Sequence, residues 1–93
     1  MLGTCKAMAE IDRATAPAFS ADLHSTINET DTPQVVVDCS GVTFMDSAGY
    51  HVLVDATSYA ARRGRTLVIR DMSPYCTKMI RICDLDHELH FET

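Results

Sequence analysis

The sequence predicts a small α/β fold: one mixed sheet whose central strands run parallel and are covered by helices. Three observations carry this. Val35-Val36-Val37 and Leu67-Val68-Ile69 are branched runs too short for helices and apolar at every position, as strands of a covered parallel sheet are. Between them Val52, Leu53, Ala56, Tyr59 and Ala60 recur at helical spacing, and a helix joining two buried strands implies a parallel crossover. Finally, 93 residues, 46% hydrophobic and 23% charged, suit one modest core and exclude disorder and low complexity, so one domain over residues 1–93 is expected.

The elements follow in chain order. Near the N-terminus only Met8 to Ile11 reads as a strand. Thr15 can cap a helix with Pro17 in its first turn, and Ala16, Phe19, Leu23 and Ile27 form its apolar stripe, which ends before Asn28. The first branched run follows, then the middle helix, closed by Gly64 just after Arg62 and Arg63, basic residues that a helix C-terminus favours. After the second run Ser73 can cap a helix with Pro74 at its first position and Cys76, Met79, Ile80 and Cys83 along one face. His87 to Phe91 alternates, with His87, Leu89 and Phe91 on one side, and predicts a short edge strand.

Thirteen acidic against eight basic residues give a formal charge of −5, which argues against nucleic acid as a partner because phosphate contacts need a basic face. No apolar run approaches the ~20 residues a spanning helix needs, and no signal-peptide core follows Met1, so no membrane role and a cytoplasmic location are expected. Cys5, Cys39, Cys76 and Cys83 lack Cys-x-x-Cys spacing and are expected to be reduced and mostly buried. His87-Glu88-Leu89-His90 has neither the helical spacing of a zinc protease nor, on a strand, two histidines on one face; neither a metal nor a cofactor is expected. Ser47 is not set in a hydrolase elbow, since Met45 stands at the first glycine position, so the chain is not expected to be an enzyme.

Ser40 to Gly49 joins the end of a buried strand to the start of a helix, and in open α/β sheets sites form where strand carboxyl ends meet helix amino ends. Asp46 is placed to cap the helix, leaving Ser47 in the first turn with its hydroxyl exposed. The spacing alone is equally met by a helix cap with no further role.

Gly41-Val42-Thr43-Phe44-Met45-Asp46-Ser47-Ala48-Gly49, with Ala9-Glu10-Ile11-Asp12 and Met72-Ser73-Pro74, closely resembles the bacterial anti-sigma factor antagonists of the STAS domain family, over roughly residues 10–91. The resemblance implies that the serine after the aspartate, here Ser47, is phosphorylated by a partner anti-sigma factor, a serine kinase of histidine-kinase-like ATPase fold. It implies that a PP2C-type phosphatase reverses this, and that Asp12, Asp46, Ser47, Ala48, Gly49 and His51 belong to the partner-facing surface. Unmodified protein would dock and free the sigma factor; a phosphate would add ~1.5 to 2 negative charges beside Asp46 and Asp12 and switch docking off.

The sequence departs from the family pattern at Ala48, where a serine is common, and at Tyr50-His51, where leucine and glycine are usual. His51 shares the face of Ser47 and reads as a surface residue, a phosphate neighbour or an obstacle to the usual partner. The stretch before Asp12 is short for the family's two N-terminal strands, so shortened strands, or an exposed edge that invites a homodimer, are expected. The alternatives are a STAS-like scaffold or sensory module in a larger regulatory complex with no kinase substrate role, or a nucleotide or small-ligand module using the same strand-end edge.

Overall fold

The structure, a computed structural model, describes residues 3–92. Its elements are β1 (Gly3–Lys6), β2 (Glu10–Ile11), α1 (Ala16–Glu29), β3 (Gln34–Asp38), β4 (Phe44–Met45), α2 (Ser47–Arg62), β5 (Thr66–Arg70) and α3 (Pro74–Ile82), followed by a 3-10 turn at Asp86–Glu88. The expected small α/β domain is present, with three helices and parallel strands. The described strands form a three-stranded sheet in the order β1-β3-β5 and a separate β2-β4 pair. Each of these pairings is parallel, so the expected mixed sheet carries no antiparallel pair among the described residues. The reason is the connections: α1 lies between β1 and β3, and α2 between β3 and β5, each long enough to return the chain to the same end.

Burial alternates along β1 and β3, whereas Leu67, Val68 and Ile69 of β5 are all buried. Cys5, Val35, Val37, Leu67 and Ile69 face α1 and α2 and join Phe19, Leu23, Ile27, Leu53, Ala56 and Ala60 in one core cluster, into which α3 seats Cys76 and Ile80. Among the described residues the opposite face is largely open, with Val68 its one buried side chain, which corrects the expectation of a sheet covered on both sides. Val36 is only half-buried there, beside exposed Thr4 and Lys6, and Arg70 makes a two-pronged ion pair with Glu92 at 2.8 and 2.9 Å. The apolar runs thus reflect β-propensity on that face more than coverage.

Two local expectations need correction, and a third is extended. The N-terminal stretch holds the shortened strands that the resemblance implies, β1 being added to the one read directly at Met8 to Ile11. β1 escapes detection because Gly3 carries no side chain and Cys5 is its one inward apolar residue; Gly3 is needed because a Cβ there would run into the side chain of Thr30. Thr15 occupies the cap position of α1 without a side-chain capping bond, because its hydroxyl turns back to donate to the Glu10 carbonyl at 3.0 Å. The turn into α1 is made by Asp12, whose Oδ1 accepts from the N–H groups of Ala14 and Thr15. The expected edge strand at His87 to Phe91 is the 3-10 turn followed by one parallel bridge, Ile69 to Phe91. Asp84, in left-handed conformation at φ 59°, turns the chain so sharply after α3 that only Leu89, which is buried, and Phe91 keep the strand-like alternation.

Other expectations hold. Pro74 opens α3 and Ser73 caps it through Cys76 N–H at 3.2 Å; Gly64 closes α2 at φ 73°. All four cysteines are free, with Cys5, Cys39 and Cys76 buried and Cys83 exposed at the end of α3. Burial pushes the Cys39 thiol up to about 12, so it packs as an inert apolar group.

Candidate functional site

The site begins with the β2-β4 pair. Ile11 and Met45 are register partners, and Asp46 N–H donates to the Ile11 carbonyl at 3.0 Å, so Asp12 and Asp46 leave their strands side by side. Each aspartate starts a helix. Asp46 is extended, at φ −101° and ψ −172°, and its Oδ1 accepts from Ala48 N–H at 2.9 Å while its carbonyl accepts from Gly49 and Tyr50. Asp12 is held by Ala14 and Thr15. The bond from Thr15 N–H, foremost, keeps its carboxyl below the ordinary range, so it is charged at neutral pH.

This geometry fixes what each remaining residue can do. Ser47 is the first residue of α2 and is exposed. Ala48 is half-buried behind it. Gly49 is buried, and a Cβ there would stand 2.5 Å from the Met45 side chain and 2.8 Å from that of Ile11; its lack of a side chain lets α2 seat directly on the β2-β4 pair. His51 is exposed one turn on, and its Nδ1–H donates to the Ser47 carbonyl at 2.8 Å, which fixes the ring beside Ser47 with Nε2 left over. Tyr50 points the other way, into the core beside Cys76, where its hydroxyl has no hydrogen-bond partner among the described residues and burial pushes its phenol up.

Asp12, Asp46, Ser47 and His51 therefore share one edge, Ala48 borders it, and Gly49 underlies it. Two further residues belong to this edge. Thr15 locks Asp12 through reciprocal bonds, its N–H to Asp12 Oδ1 at 3.0 Å and Asp12 N–H to its Oγ1 at 2.9 Å. Phe44, three residues before Ser47, is 50% exposed. The alternation with buried Met45 could have revealed Phe44; nothing in the spacing reveals Thr15, whose sequence signal is that of a cap.

Three donors of the helix amino end are already taken by Asp46: its carboxylate accepts from Ala48 N–H, and its carbonyl from Gly49 and Tyr50 N–H. An anion on Ser47 would therefore find these donors taken and two carboxylates nearby, and would project outward. The two cavities described in the molecule lie elsewhere. The larger, about 430 Å³, is a groove on the open sheet face bordered by Thr4, Gln34, Val36 and Arg70, and the smaller lies among Pro33, Arg63 and Arg65. Neither touches Asp12, Asp46 or Ser47. At the far end Asp84, Asp86 and His87 bring ligand-type atoms within 4.8 Å of one another, all exposed. No helix among the described residues is long and apolar enough to cross a membrane.

The sheet is parallel with helices packed on one face, and α2 begins at Ser47 behind its Asp46 cap. The chain belongs to the STAS domain family: the family model described as "Mlab, STAS domain" matches residues 6–91. Among solved structures it is similar to an anti-sigma factor antagonist (STAS) domain protein from Planctomyces limnophilus, at 15% identity and TM-score 0.78, covering 99% of this chain and 83% of that one. It is also similar to the anti-sigma factor antagonist SpoIIAA in its unphosphorylated form, at 16% identity and TM-score 0.74, covering 97% and 78%. The phosphorylated form of SpoIIAA, a Bacillus cell fate determinant, matches at 16% identity and TM-score 0.68, covering 97% and 81%. These likenesses establish the shared fold.

Proposed function

We propose that this chain is a cytoplasmic, non-enzymatic anti-sigma factor antagonist whose docking is switched off by a phosphate on Ser47. The carrying observation is the placement of Ser47, exposed at the first position of α2 with Asp46 before it and Asp12 alongside. In this reading residues 1–93 act as one domain. The unmodified edge docks on an anti-sigma factor that is also a serine kinase of histidine-kinase-like ATPase fold, and a PP2C-type phosphatase restores the docking form. Among the described residues neither aspartate makes an ion pair, and a cationic partner surface accommodates the charge of the two carboxylates. A phosphate raises that charge where the helix-start donors are already taken, and like charges in a partly dried interface cost on the order of several kcal/mol. The relatives named as SpoIIAA in phosphorylated and unphosphorylated forms support the reading by fold, and the resemblance of residues 41–49 supports it by motif.

One observation favours a second reading, a STAS-like scaffold or sensory module in a larger complex. His51 is tied to the Ser47 carbonyl and adds bulk to the docking edge, which would hinder a kinase that must close over the serine. Neither of the two cavities described above reaches this edge, so neither supports nucleotide or small-ligand binding there.

Wild-type, Ser47→Ala and Ser47→Asp baits separate the readings in a pull-down from native lysate. Retention of a kinase-fold partner by the first two and its release by Ser47→Asp is expected. Equal retention by all three would remove the switch and leave the scaffold.

A further inference from the structure

α3 has an outer face that the fold does not use. Tyr75 and Ile82 are each 65% exposed, and with Phe44 they are the large apolar side chains left in solvent among the described residues. Seven residues apart, they lie on one side of α3, while Cys76 and Ile80 point into the core. Half-buried Met79 borders the pair on the core side, and Lys78 and Arg81 border it on the other. Neither cation has an ion-pair partner among the described residues, and Pro74–Ile82 contains no acidic residue. This is a basic, apolar-anchored strip on a chain of net charge −5.

We propose that the outer face of α3 is a docking surface for an acidic amphipathic helix of a partner protein, its apolar side chains packing on Tyr75 and Ile82 and its carboxylates meeting Lys78 and Arg81. Charge complementarity selects this occupant. A second copy packed antiparallel across Tyr75 and Ile82 would bring the two Lys78 ammonium groups together at the two-fold axis. An anionic bilayer would be repelled by Asp71 before the helix and by Asp84, Asp86 and Glu88 after it. An acidic helix aligned along Pro74–Ile82 meets only the cations. The surface is independent of Ser47 and stands whether or not that residue is modified.

The test places the photo-crosslinking residue p-benzoylphenylalanine at position 75 or 82 of the full chain in the cells it comes from, with position 58, on the exposed side of α2, as control. The cross-linked segment is identified by mass spectrometry, and the matching synthetic peptide is titrated against purified protein. The expected result is one acidic, helix-patterned segment linked at 75 and 82 but not at 58. That peptide should bind about tenfold more weakly to Tyr75→Ser or Ile82→Ser and several-fold more weakly to the Lys78→Glu, Arg81→Glu double variant. Thermal melts of these surface variants should match wild type, which separates lost docking from lost folding. Links to a second copy, to lipid or to a segment without acidic residues would overturn the proposal, as would no linkage above the position-58 control.

Discussion

Among single residues, Gly49 sets how closely the serine-bearing helix approaches the strands beneath it. A side chain there would meet Met45 and Ile11, so within the proposed docking edge Gly49 is a positioning residue and not a contact residue. Alanine has the higher helix propensity by about 1 kcal/mol, which alone would make Gly49→Ala stabilising. The added methyl must displace Met45 and Ile11, both nearly fully buried, and overpacking of this kind costs about 1 to 3 kcal/mol. The packing effect should win. Denaturant titration is expected to show Gly49→Ala less stable than wild type, and equal or greater stability would mean that the α2 start shifts freely. The glycine was legible in the motif, but its full reason was not, because one of its two contacts, Ile11, lies on a strand nearly forty residues earlier. His51 was similarly legible as a neighbour of Ser47 while its bond to the Ser47 carbonyl was not.

At the scale of elements, those with their own periodicity could be read directly. α1, α2 and α3 and the strands β3 and β5 follow from apolar spacing, proline and glycine positions. The elements that escaped are the ones held by someone else's atoms. β1 exists because β3 pairs with it, β4 is two residues long, and the C-terminal segment is set by a left-handed turn at Asp84 and by bonds to Ile69, whereas β2 falls inside the strand read at Met8 to Ile11. The entry to α1 is a case in which two capping residues compete, and Asp12 prevails because Thr15 is engaged with Glu10.

That entry has a pH signature. The Asp12 carboxyl is held low in the folded chain, so its contribution to stability is present above the unfolded aspartate range and is lost as pH falls through the folded value. Asp12→Asn removes the titration. Its melting temperature should lie below that of wild type at neutral pH, with the gap closing as pH drops into the acid range. A gap independent of pH would mean that the carboxylate contributes no charge-dependent stability. Asp38 and Glu92 are lowered too, by Ser40 N–H and by Arg70 respectively, so wild type keeps part of its acid slope in the variant.

For the molecule as a whole, the sheet has one face under helices and one face largely open among the described residues, and the proposed docking edge lies where the Asp12 turn and the Asp46-capped start of α2 emerge together. The sequence made this edge visible through one strand-to-helix motif, whereas the pairing that brings Asp12 to Asp46 appears only in the fold. The central claim is that charge added at Ser47 acts against carboxylates already fixed in place. The most direct measurement is calorimetric titration of the partner retained by wild type against two forms of the full chain, one with serine at position 47 and one with phosphoserine installed there by translation. The account predicts binding at least about a hundredfold weaker for the phosphorylated form, as several kcal/mol of charge repulsion requires. Dissociation constants equal within about twofold would contradict it.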